Sequence, residues 1–77
     1  MNIAIFGASG ATGTLLTQRS LAEGYDVTAL IRTPVTFAFR DQVHVVEGSV
    51  FDPAAVRRTV EGADVVLSAL GARSLKK

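Results

Sequence analysis

A chain of 77 residues, 48% hydrophobic and 19% charged, fits one small globular domain, and a domain of that size buries a smaller share of its surface than an average one. A formal net charge of +1, with basic residues scattered apart from Arg57-Arg58 and Lys76-Lys77, gives no electrostatic basis for holding nucleic acid or an anionic membrane surface. The lack of cysteine excludes disulfides and thiolate metal sites, and no apolar run approaches the roughly twenty residues of a membrane span; the chain opens on a strand pattern instead of a secretory signal, so a cytoplasmic protein is expected.

The first element is a strand, Asn2 to Phe6, whose lack of polar alternation predicts burial on both faces, as in a parallel sheet covered by helices. Gly7-Ala8-Ser9-Gly10-Ala11-Thr12-Gly13 follows without a spacer and runs directly into a helix, Ala11 to Glu23. Glycines let the chain turn tightly and bring bare backbone against a ligand, while the helix N-terminus offers unpaired N–H groups and partial positive charge. That combination holds phosphate; the alternative is a strand-to-helix turn whose small residues serve only close packing. Leu15, Leu16, Leu21 and Ala22 supply the expected apolar helix face, with Gly24 placed to close it in a left-handed cap.

Asp26 to Ile31 reads as the second strand and Val43 to Glu47 as the third. The crossover between them, Thr33 to Gln42, is barely long enough for a parallel connection and is expected to be a loop with at most a turn or two of helix. Phe37 and Phe39 within it either pack over the sheet or stay partly exposed. A short helix follows, with Asp52 as its cap, Pro53 in its first turn, Val56 and Val60 on one face and Gly62 at its end. The fourth strand, Asp64 to Leu70, is the most hydrophobic. This succession of strands and helices is the doubly wound α/β order.

Four motifs in order, Gly7-x-x-Gly10-x-x-Gly13, Leu30-Ile31-Arg32, Glu47-Gly48-Ser49-Val50-Phe51-Asp52-Pro53 and Val66-Leu67-Ser68-Ala69-Leu70-Gly71, cover essentially the whole chain. They resemble the N-terminal part of atypical short-chain dehydrogenase/reductases, of the NAD(P)H-binding NmrA-like and flavin or biliverdin reductase type. The resemblance implies half of a doubly wound Rossmann fold spanning residues 1–77, with four parallel strands in the order 3-2-1-4 and flanking helices. It further implies that Gly7, Ser9, Gly10, Ala11, Thr12 and Gly13 surround the cofactor phosphates, with Thr12 as the side-chain donor.

Arg32 ends the second strand, where an NAD-specific protein of this fold places an acidic residue on the ribose hydroxyls. A guanidinium there suits the 2′-phosphate of NADP, whose oxygens match its planar donor fork. Thr33 and Arg40 are secondary candidates for the same phosphate. Gly48-Ser49-Val50 stands where the family commonly has Gly-Asp-Val, so Ser49 is a departure: it would reach adenine only through water, while Val50 packs on the ring. Asp52 is assigned to the helix cap instead. By the same resemblance Ala69, Leu70 and Gly71 lie near the nicotinamide-side ribose.

Short-chain dehydrogenases of the usual chemistry employ a tyrosine acid with a lysine four residues on, and this sequence lacks the pair: its one tyrosine, Tyr25, precedes the second strand and is followed four residues later by Ala29. His44 reads as a structural or surface histidine. No catalytic residue and no metal ligand is therefore assigned within the chain. The expected function is the NADP(H)-binding part of an oxidoreductase moving hydride between nicotinamide and a small acceptor, as a truncated piece of a longer reductase or a self-standing unit. The rivals are a non-catalytic NADP-sensing module of the NmrA-like kind and the N-terminal half of a sugar-nucleotide epimerase or dehydratase. In either setting the open edge beside the fourth strand invites self-association.

Overall fold

The computed structural model describes residues 1–69, and places β1 (Asn2–Phe6), α1 (Ala11–Ala22), β2 (Asp26–Ile31), a 3-10 turn (Pro34–Thr36), β3 (His44–Glu47), α2 (Pro53–Val60) and β4 (Val65–Ser68). The strands form one parallel sheet in the order β3-β2-β1-β4. β1 is central, with Ile3, Ala4 and Ile5 at 4%, 0% and 0% exposure, which explains a strand that shows no polar alternation. The register sets Ile3 beside Val27 and Val65, and Ile5 beside Ala29 and Leu67. Leu70, the expected last residue of the fourth strand, lies outside the described residues.

Crossovers from β1 to β2 and from β3 to β4 run in opposite directions across the sheet, so right-handed connection puts their helices on opposite faces. On the α1 face a core forms from Ile3, Ile5, Ala8, Val27, Ala29, Ile31 and Phe37. The α2 face carries the alternate positions, among them Ala4 and Leu30, under Ala55. Phe37 closes the first of these faces at 2% exposure, with Phe39 edge-on to it at 6.0 Å between ring centroids. The packed alternative for these two rings is thus the one adopted. The chain makes room for it by winding Pro34–Thr36 into a short turn whose Thr36 hydroxyl donates to the Thr33 carbonyl.

Both helices meet the sheet through small residues, and here the sequence expectation needs correction. The buried positions of α1 are Gly13, Thr17 and Ser20, whereas Leu15 is 56% exposed, Ala22 is exposed, and Leu16 and Leu21 are only partly buried beside the core. In α2 the buried pair is Ala55 and Thr59, with Val56 and Val60 flanking it. Close approach of helix to sheet selects for small volume over hydropathy at the contact. Thr17 and Thr59 solve the polarity problem identically: each buried hydroxyl donates to the carbonyl four residues earlier, Gly13 at 2.8 Å and Ala55 at 2.7 Å.

The ends follow the expected chemistry. α1 terminates one residue earlier than expected, with Glu23 as its cap, and Gly24 at φ 82° donates to the Leu21 carbonyl. Asp52 caps α2 by accepting from the Ala54 N–H at 3.1 Å, and Pro53 takes the first turn. No helix among the described residues is long and apolar enough to cross a membrane.

Candidate functional site

At the carboxyl edge of the sheet three connections converge: the β1–α1 corner, the residues after β2, and the turn between β3 and α2. Open α/β sheets bind ligands along this edge, because strand ends and helix N-termini meet there. Gly7, Ser9, Leu30, Ile31, Arg32, Thr33, Thr36, Gly48, Ser49, Val50 and Phe51 line one cavity of about 390 Å³ at this place.

Gly7 turns the chain out of β1 at φ 75°, a left-handed conformation that only glycine adopts without strain. Gly10 then caps α1 with no side chain bonded to the helix end. Its own N–H donates to the Gly7 carbonyl at 3.3 Å, but among the described residues the N–H groups of Ala11, Thr12 and Gly13 have no acceptor. Ser9, Gly10, Ala11 and Thr12 are exposed, so the corner is not plugged by side chains. An added Cβ at Gly10 would meet nothing closer than 3.7 Å. Free amides at the positive end of a helix dipole, with no carboxylate in the first turn, fit a phosphate or diphosphate.

Gly13 has a different task. A Cβ there would stand 1.9 Å from the Gly7 carbonyl oxygen and 2.6 Å from the Ala8 Cα, so this glycine lets α1 lie against the turn. It is buried and does not line the cavity. Close packing therefore accounts for Gly13, whereas Gly10 is not required by packing.

Arg32 stands exposed on the cavity wall directly after β2, and no hydrogen bond or ion pair ties its guanidinium to any described residue. Thr33 and Thr36 lie beside it on the same wall. Thr36 escaped the sequence reading, since only the 3-10 turn brings its position back to the strand end. Arg40 is not available: its Nη1 donates to the carbonyls of Val35 at 3.2 Å and Phe37 at 3.5 Å, so it braces its own loop outside the cavity.

On the opposite wall the Ser49 hydroxyl accepts from the Phe51 N–H at 3.1 Å, and its carbonyl accepts from the Asp52 N–H at 3.0 Å. Ser49 thus shapes a tight turn whose two corner residues, Val50 and Phe51, are 40% and 90% exposed. Nothing in the composition of this turn distinguishes Phe51 from a core residue, which is why sequence reasoning passed over it. Ala69 is half-buried, donates its N–H to the Phe6 carbonyl at 2.8 Å and is not part of the cavity wall; Leu70 and Gly71 fall outside the described residues.

Tyr25 lies elsewhere, in a separate groove with Leu15, Leu16, Arg19, Ser20 and Glu23 on the α1 surface. His44 is exposed at the start of β3, paired in register with Thr28. Among the described residues no cluster of His, Cys, Asp and Glu is arranged to hold a metal ion.

A family model described as NAD(P)H-binding matches residues 7–77. Among solved structures the chain is similar to a short-chain dehydrogenase/reductase superfamily protein from Agrobacterium tumefaciens with bound NAD. The two are 26% identical with a TM-score of 0.74, over 94% of this chain and 20% of that one. It is also similar, at 36% identity and a TM-score of 0.71, to a Burkholderia pseudomallei protein named as an exported one, over 95% of this chain and 33% of that one. The chain therefore spans between a fifth and a third of the length of these two proteins.

Proposed function

This chain belongs to the NAD(P)H-binding family, and on that premise we propose that it is the NADP(H)-holding portion of an oxidoreductase that moves hydride between nicotinamide and a small acceptor. The observation that carries the reading is the convergence of two anion-seeking features at one sheet edge. The amides of Ala11 and Thr12, without an acceptor among the described residues, open α1 just after Gly7 and Ser9 of the cavity wall, and the Arg32 guanidinium, unpaired among the described residues, stands on that wall. In this reading the β1–α1 corner receives the diphosphate, Arg32 grips the 2′-phosphate, and Thr33 and Thr36 add hydroxyl contacts. Ser49 and Val50 border adenine, and Ala69, Leu70 and Gly71 approach the nicotinamide ribose. The bound nicotinamide supplies the redox chemistry, while the chain holds and orients it.

Calorimetric titration of the chain with NADPH, NADH and 2′-phospho-AMP tests this directly. The expected order is NADPH tighter than NADH, with measurable binding of 2′-phospho-AMP. Equal affinity for the two dinucleotides removes the NADP preference, and no binding of either removes the cofactor reading. The edge of β4, where Val65 and Val66 are 37% and 50% exposed, supports self-association as part of the same proposal, to be read by sedimentation across a concentration series.

A further inference from the structure

Phe51 is an aromatic ring exposed for nine-tenths of its surface, the highest exposure of any large hydrophobic side chain described, and it stands on the wall of a cavity. Its position is fixed by more than chain connectivity. The Gly48 N–H donates to the Ile31 carbonyl at 3.0 Å, anchoring the turn to the sheet; the Ser49 hydroxyl and carbonyl accept from Phe51 and Asp52; and the Asp52 carboxylate holds the first turn of α2. The ring is mounted on a bracket bonded at both ends.

The other groups around the cavity divide by chemistry. Gly7 and Ser9 on one side and Arg32, Thr33 and Thr36 on another offer donors suited to phosphate and sugar oxygens. Leu30 and Ile31 are 6% and 2% exposed, so they offer little surface to a ligand. On the turn that faces them, the Ser49 hydroxyl accepts the Phe51 N–H and keeps its own O–H, so this turn offers a flat base one polar side chain among apolar ones. Val50 presents a small aliphatic surface, and Phe51 supplies the π-face.

We propose that Phe51 is a base-stacking residue, its ring forming a flank of the adenine position. This rests on the dinucleotide reading above and goes beyond it. Stacking an aromatic side chain on a base is worth enough to shift affinity by about tenfold, and it is tolerant of base substituents because every base has a π-face. The contact is made to the base alone, so it is blind to the 2′-phosphate.

Three variants, F51A, F51Y and F51W, are compared with the wild-type chain by calorimetry against NADPH, NADH and reduced nicotinamide mononucleotide. F51A is expected to weaken NADPH and NADH alike by about tenfold, F51Y to bind as the wild type does, and mononucleotide binding to stay unchanged. The chain has no tryptophan, so the F51W indole is the sole reporter of its kind, and AMP alone is expected to quench it. Because the ring is exposed, circular dichroism of F51A is expected to match the wild type. Dinucleotide affinity left unaltered by F51A, or an F51W signal indifferent to AMP, overturns the stacking role and leaves the cofactor reading standing. A wild-type chain that binds no dinucleotide overturns both.

Discussion

The carbonyl oxygen of Gly7 and the Cα of Gly13 lie so close that a methyl group on Gly13 would sit 1.9 Å from that oxygen. No real Cβ tolerates such a contact with backbone, so Gly13→Ala forces α1 away from β1. Overpacking of this kind costs about 3 kcal/mol or more, a large part of the stability of a small domain. Gly10→Ala makes an ordinary van der Waals contact, 3.7 Å from the Gly7 carbonyl oxygen, with φ −78°, and its expected effect on stability is under about 1 kcal/mol. Thermal or urea unfolding of the two variants side by side checks the contrast. If Gly13→Ala melts with the wild type, the close approach described for this corner is wrong.

Arg32→Ala is expected to leave the fold intact, since the side chain is exposed and holds nothing among the described residues. A charge-assisted bond to phosphate contributes about 1.5–3 kcal/mol, so NADPH affinity should fall by roughly ten- to a hundredfold while NADH affinity barely moves. Arg32→Lys should recover only part of the loss, because an ammonium cannot reproduce the bidentate fork. Calorimetry with both cofactors reads all three expectations, and a parallel loss for NADPH and NADH would place Arg32 on the diphosphate instead of the 2′-phosphate.

The alternation of strands and helices was legible because apolar runs and turn glycines are written locally, whereas the strand order followed from the resemblance carried by the four motifs. The helix faces were not legible. A search for apolar periodicity picks Leu15 and Ala22, yet the contact needs small volume, so Gly13, Thr17 and Ser20 face inward and Leu15 is left to solvent. Arg40 shows a second limit: its charge marks it as an anion ligand, and only the folded loop reveals the two carbonyls it already serves. Phe51 shows a third, since an aromatic residue in a short turn carries no local mark of exposure.

Thr59 is 1% exposed, and its hydroxyl donates to the Ala55 carbonyl, which as a helical carbonyl also receives the Thr59 backbone N–H. Thr59→Val keeps the shape and removes one of two donors, so no carbonyl is orphaned. The expected change is within about 1 kcal/mol of the wild type. Thr59→Ala instead opens space between α2 and the sheet and should cost more than the valine variant. Chemical denaturation of both distinguishes volume from hydrogen bonding at this contact; a valine variant destabilised as much as the alanine one would show that the hydroxyl, which both lack, and not the volume secures the helix.

Gly48 and Ala55 test whether the second helix is seated as the first is. A Cβ on Gly48 would stand 2.7 Å from the Ala55 Cβ, while its next neighbours, Leu30 Cδ1 and Asp52 Oδ2, are at 3.7 and 3.8 Å. Gly48→Ala alone should destabilise by about 1–3 kcal/mol, because α2 must lift from the sheet. Removing the opposing methyl with Ala55→Gly vacates the contested volume, and the residual penalty of the double variant is then mainly glycine in a helix, about 1 kcal/mol. The two changes should therefore couple favourably in a double-mutant cycle, by more than experimental additivity allows for independent sites, about 0.5 kcal/mol. Because Gly48 also leads into the Ser49–Asp52 turn, the single variant should weaken NADPH binding and the double variant restore it. Additive stabilities would mean that α2 adjusts freely, and the turn carrying Phe51 would then have no rigid base.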